Sequence, residues 1–129
     1  MLIRGMAFFG MAFFMTFTTH PSQAQDAAAG KKAFVYCQSC HVADKDTNEP
    51  GPSLYGVVGR TAGTHPGYTK FSKAMVAAGK SGVVWDEPTL ATFLRRPSAM
   101  IEGNKMMFAG LMNPDDITNV IAYLKQTSQ

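Results

Sequence analysis

Cys37-Gln38-Ser39-Cys40-His41 places two thiols three positions apart, with an imidazole directly after the second. This spacing is the attachment pattern of a c-type haem. One helical turn between the cysteines sets both sulfurs along one edge of a porphyrin, within reach of its two vinyl groups. The next residue lies beneath the ring, where His41 can offer a ring nitrogen to the iron. No other cysteine occurs in the 129 residues, so nothing competes for the pair.

Two other chemistries use Cys-x-x-Cys. A zinc site needs further ligands, and the remaining histidines are His20 and His65. A thioredoxin-type dithiol needs strands alternating with helices, and the pattern described below has none.

The length is that of one domain. Arg4 gives a positive start, and Met6 to Phe17 is almost wholly apolar. His20-Pro21 breaks that run, and Ser22-Gln23-Ala24 offers a small-x-small cleavage site. The order is that of a secretory signal peptide over residues 1–24, leaving 25–129 as the working domain. The apolar run is shorter than the roughly 20 residues of a membrane span, so a retained anchor is the secondary reading. A domain this small has a marginal core of its own, and a covalently held haem would supply a large apolar plate to wrap. Export into an oxidising compartment would otherwise tend to close the two thiols on each other. The net charge is +3, it falls by one without Arg4, and two haem propionates would bring it near neutral. With no basic run, nucleic acid is not a partner.

Along the chain, Asp26 caps a first helix that runs through Tyr36 into the cysteine motif. Gly30 and Phe34 share one face of it, and a glycine inside a helix suggests that another backbone passes close by. Residues 42–67 lose periodicity and carry turn chemistry at Glu49-Pro-Gly-Pro-Ser53 and Gly63-Thr-His-Pro-Gly67. A loop of that length is normally functional or wrapped on something. Lys70 to Ala78 reads as a short helix ended by Gly79, and Val83-Val84-Trp85 as a brief extended piece. Asp86 caps a helix with Pro88 in its first turn, which stops at Pro97. After a second irregular loop, Ser98 to Met112, Asn113-Pro114-Asp115-Asp116 opens a last helix whose stripe is Ile117, Val120, Ile121 and Leu124. The expected fold class is all-α, several helices joined by long loops with no sheet.

A haem that only moves electrons has both axial positions filled, and a methionine opposite the histidine raises the reduction potential. Met100, Met106, Met107 and Met112 all fall in the second irregular loop, and spacing does not choose among them.

Beyond the haem motif, the ordered stretches are Gly30-Lys-Lys-Ala-Phe34, Gly51-Pro-Ser-Leu-Tyr-Gly-Val-Val-Gly-Arg60, Val84-Trp85, Thr89-Leu90 to Pro97, Asn104-Lys-Met-Met-Phe-Ala-Gly110 and Ile121-Ala-Tyr-Leu-Lys125. As a set spanning residues 25–129 they resemble class I cytochrome c. The resemblance implies the cytochrome c fold around one haem c, covalent through Cys37 and Cys40, with axial ligands His41 and Met106. It also implies that the Pro52 carbonyl meets the axial histidine, that Arg60 and Trp85 contact a buried propionate, and that Gly30 and Phe34 pack near Tyr123. Three features depart from many relatives: Phe93 and Lys70 replace aromatic hydroxyls, and Leu111-Met-Asn-Pro114 replaces a lysine-bearing segment. Asp44, Asp46 and Glu49 dilute a basic face to which Lys32, Arg95, Arg96 and Lys105 contribute.

The implied function is that of a soluble, monomeric periplasmic electron carrier, not an enzyme. Its implied partners are a cytochrome bc-type complex or dehydrogenase as donor and a terminal oxidase or reductase as acceptor. The alternatives are an open-site haem protein with peroxidase or gas-binding activity, and a membrane-tethered carrier.

Overall fold

Asp26 opens the first helix of the computed structural model, which describes residues 25–128. Its carboxylate accepts from the backbone N–H of Ala28 and Ala29 at 2.9 and 3.0 Å, partnering two donors that a helix start leaves free. Helix α1 (Ala27–Ala33) tightens into a 3-10 turn over Phe34–Tyr36, which delivers the chain into the cysteine motif. The expected export segment, residues 1–24 with Met6 to Phe17 and His20, lies outside the described residues.

The last helix crosses the first. The Asn113 side chain accepts from the Asp115 N–H at 3.0 Å, two acids occupy the first turn, and the helix runs over Pro114–Gln126. Its expected stripe of Ile117, Val120, Ile121 and Leu124 is buried, together with Tyr123. At the crossing a β-carbon on Gly30 would stand 1.9 Å from the Asn119 carbonyl oxygen. Phe34 packs edge-on to Tyr123 with ring centroids 5.4 Å apart. The glycine is there to let two backbones touch.

Between these ends lie α2 (Lys73–Lys80), α3 (Glu87–Arg95) and the one-turn α4 (Pro97–Met100); the final helix, Pro114–Gln126, is α5. Ser72 caps α2 by accepting from the Met75 N–H at 3.0 Å, and Asp86 caps α3 by accepting from Thr89 at 2.9 Å. Three expectations need correction. Helix α2 begins at Lys73 and not at Lys70, because Ser72 in extended conformation caps it. Gly79 does not end α2, which continues through Lys80. A β-carbon on Gly79 would lie 1.9 Å from the Ala62 carbonyl, so this glycine too serves a close approach. The second irregular loop begins with helix: Pro97, lacking an N–H, closes α3 and starts α4.

Among the described residues, β structure amounts to the isolated antiparallel bridge Thr61–Val84. The fold is all-α, as expected. Its core joins Phe34, Leu90, Phe93, Leu94, Ile117 and Val120, with Trp85 tilted against Phe93 at a centroid distance of 4.8 Å.

Candidate haem site

Cys37 follows the 3-10 turn directly, its N–H donating to Phe34 O at 2.8 Å. Cys40 and His41 both donate to the Cys37 carbonyl, at 3.1 and 3.0 Å. The motif is therefore one closed turn, the geometry that sets two thiols on one side. Cys37 is half-buried and Cys40 exposed, both as free thiols. Burial, then the neighbouring Cys40, pushes the Cys37 thiol up to about 11, keeping it protonated at neutral pH.

The His41 ring is fixed from behind. Its Nδ1 lies 2.8 Å from the Pro52 carbonyl. A carbonyl can only accept, so Nδ1 carries the proton and Nε2 is left with a free lone pair. Burial holds the imidazole pKa below its ordinary value, against the opposing pull of the Pro52 carbonyl. The ring is thus the neutral form that binds metals. Gly51 makes the approach possible: its N–H donates to Cys40 O at 2.8 Å, and a β-carbon there would sit 2.4 Å from His41 Cε1.

Ser53, fully buried, knits the same loop together. Its hydroxyl donates to Lys45 O at 3.1 Å, and its N–H donates to the Asn48 side chain at 2.9 Å. Arg60 adds a strut, donating to Ser53 O at 2.8 Å and to the Tyr55 carbonyl. Burial lowers the guanidinium pKa, and the Asp46 carboxylate opposes that shift. Arg60 and Trp85 are neighbours through the backbone, where Trp85 N–H donates to Arg60 O at 2.9 Å. Trp85 itself is buried.

The structure sorts the four loop methionines. Met107 and Met112 point outward, 102 % and 88 % exposed, while Met100 and Met106 pack against the core. Met100 lies along the α3–α4 groove with Ala91, Thr92 and Arg95. Met106 is held in its loop by Asn104, whose side chain accepts from the Met106 N–H at 2.9 Å and donates to Ile101 O at 2.8 Å. Leu111 N–H then ties the loop to Leu94 O at 2.8 Å. The positioning residues Ser53 and Asn104 escape a reading by spacing, since each is one small polar residue in a turn.

The residues present fit a haem. Two thiols share one turn, a neutral imidazole offers Nε2, and Leu54, Met106 and Phe108 pack on the core while staying partly exposed, apolar surface suited to a flat apolar group. An all-helical shell around such an anchor defines a c-type haem protein.

The cytochrome c family model matches residues 27–128. The chain is 53% identical over 100 residues to cytochrome c2 iso-2 of Magnetospirillum molischianum, covering 78% of this chain and 96% of the relative. It is 45% identical over 100 residues to cytochrome c2 of Agrobacterium tumefaciens, covering 77% and 89%. Among solved structures, cytochrome c2 from Rhodospirillum centenum superposes with a TM-score of 0.76 at 34% identity, covering 81% of this chain and 99% of that one. Cytochrome cH from Methylobacterium extorquens gives 0.70 at 45%, covering 78% and 98%. The chain belongs to the cytochrome c family, as a class I monohaem electron carrier with one covalently held haem c.

Proposed function

We propose that the protein carries single electrons in the periplasm, from a cytochrome bc-type complex or dehydrogenase to a terminal oxidase or reductase. The observation that carries this reading is the 2.8 Å contact between His41 Nδ1 and the Pro52 carbonyl. It fixes one tautomer, presents Nε2, and raises the basicity of the ring as a ligand.

Bound haem supplies the one-electron iron couple. This chain's residues do the rest: Cys37 and Cys40 would anchor the group, and His41 and Met106 would ligate its iron. A thioether opposite an imidazole favours the reduced state. Arg60 and Trp85 would hold a propionate, and the web around Ser53 limits movement of the His41 side. No group is asked to act as acid or base. Residues 1–24 direct export and are removed, and residues 25–129 work as a monomer that docks transiently on membrane complexes.

The ligand assignment is tested with Met100→Leu, Met106→Leu and Met107→Leu. Only Met106→Leu should abolish the long-wavelength methionine–iron band of the oxidised protein. Loss of the band in either other variant would reassign the ligand, and its absence from the parent would point to open-site chemistry.

A further inference from the structure

His65 is 6 % exposed, and its Nε2 lies 3.0 Å from Oδ1 of Asp46, whose side chain is 63 % exposed. The carboxylate can only accept, so Nε2 carries the hydrogen in the neutral ring. Nδ1 is then a buried acceptor with no hydrogen-bond partner among the described residues. A buried nitrogen left unpaired is uncommon and carries the cost of its lost hydration. A side chain serving only to fill space would avoid that cost, so the ring is held for its contact through Nε2.

That contact joins two distant parts of the long irregular stretch between the cysteine motif and α2, the 42–52 loop and the 61–71 loop. A second one lies three residues on, where the Tyr68 hydroxyl donates to the Pro50 carbonyl at 2.7 Å. The two clasping residues are themselves coupled, since Tyr68 N–H donates to His65 O at 3.3 Å. Pro50 directly precedes Gly51, which already touches the axial ring, and lies two residues before Pro52, whose carbonyl accepts the hydrogen bond from the ring's Nδ1. Displacement at Asp46 or Pro50 has little slack to absorb it before it reaches His41.

We propose that His65 and Tyr68 are positioning residues for the axial histidine: they clasp the 61–71 loop onto the 42–52 loop and so hold the Pro52 carbonyl against His41 Nδ1. The proposal rests on His41 being the axial ligand. Its consequence is electronic as well as mechanical. A firmly held carbonyl makes the imidazole a stronger donor, which favours oxidised iron, so loosening the clasp raises the reduction potential.

Asp46→Ala and Tyr68→Phe test this on the haem-loaded protein, because one side chain is exposed and the other keeps its ring. NMR on the reduced protein follows exchange of the His41 Nδ1 proton, and spectroelectrochemistry gives the potential. The double variant should exchange that proton about tenfold faster, as expected of local opening. Its potential should rise by the equivalent of a threefold shift between oxidised and reduced forms, about 28 mV at 59 mV per tenfold. His65→Gln, whose amide can still donate to Asp46, should stay near the parent in both readouts. A lower melting temperature with exchange and potential unchanged would make the clasp scaffolding only and overturn the proposal. A parent protein with no iron-bound His41 signal would overturn the ligand assignment itself, a separate result.

Discussion

Single residues decide where backbones can meet. Gly30 illustrates competing magnitudes: alanine in a helix is worth about 1 kcal/mol over glycine, yet its β-carbon would lie 1.9 Å from the Asn119 carbonyl. A carbonyl inside α5 cannot swing aside like a side-chain tip, and overpacking of this kind costs about 1–3 kcal/mol or more. Gly30→Ala should therefore lower the denaturant midpoint of the haem-loaded protein despite the better propensity. Gly59 is the contrast, with φ of +87° and open space around its missing β-carbon. Gly59→Ala should cost about 1–2 kcal/mol from backbone strain alone and leave α1–α5 packing intact. An unchanged midpoint for Gly30→Ala would mean that the two helices can slide apart freely. The sequence marks Gly30 by its place inside a helical pattern, and the crossing explains it. Gly79 sits near a helix end in an equally suggestive place, yet its partner is the Ala62 carbonyl, a contact that local spacing cannot reveal.

At the scale of elements, helix starts were the most legible features because capping is local chemistry. Asp26, Asp86 and Asn113 all cap as their positions imply. The Asp86 and Glu87 carboxyls both sit below their ordinary pKa, Asp86 through its hydrogen bonds to Thr89 and Glu87 chiefly through Lys125. Lys125 Nζ lies 2.6 Å from Glu87, tying the start of α3 to α5. A carboxyl whose folded pKa is depressed stabilises the fold above its unfolded value and loses that contribution as pH falls through the folded one. Stability should thus decline as pH drops below about 5, the onset of carboxylate protonation. Asp86→Asn, which can still cap, should be less sensitive over that range. Equal acid sensitivity in the two proteins would show that this cap does not titrate with folding. The loops were less legible. Turn residues announced 42–67 as irregular, but the web that Ser53 and Arg60 build there depends on long-range contacts with no periodic signature. Helix α4 was hidden because one turn after a proline is too short to show a period.

For the whole molecule, the haem motif and the ordered stretches made the all-α fold and the anchor legible, and the resemblance already implied Met106 among the four loop methionines. Met107 and Met112 are exposed while Met100 and Met106 pack against the core, which accords with the proposed Met106 ligand. The charge distribution sets how partners meet. Arg95, Arg96 and Lys105 are exposed, but Asp44, Asp46 and Glu49 offset them, and the net charge is only +3. Steering of an encounter depends on the field of the whole surface and is screened within about 10 Å at 0.1 M salt. Raising ionic strength should therefore slow reduction by a membrane complex only mildly, as followed by stopped-flow absorbance. A steep salt dependence would show that the basic residues act together as one docking face.

The central claim is a haem c bound through Cys37 and Cys40 with His41 and Met106 on the iron. It is tested most directly by the optical spectrum of the purified protein, oxidised and then reduced. The expected spectrum shows c-type bands that stay with the polypeptide after acid–acetone extraction, with the long-wavelength methionine–iron band in the oxidised form. Haem bands without that feature would contradict the Met106 ligation, and a colourless protein would contradict the whole account.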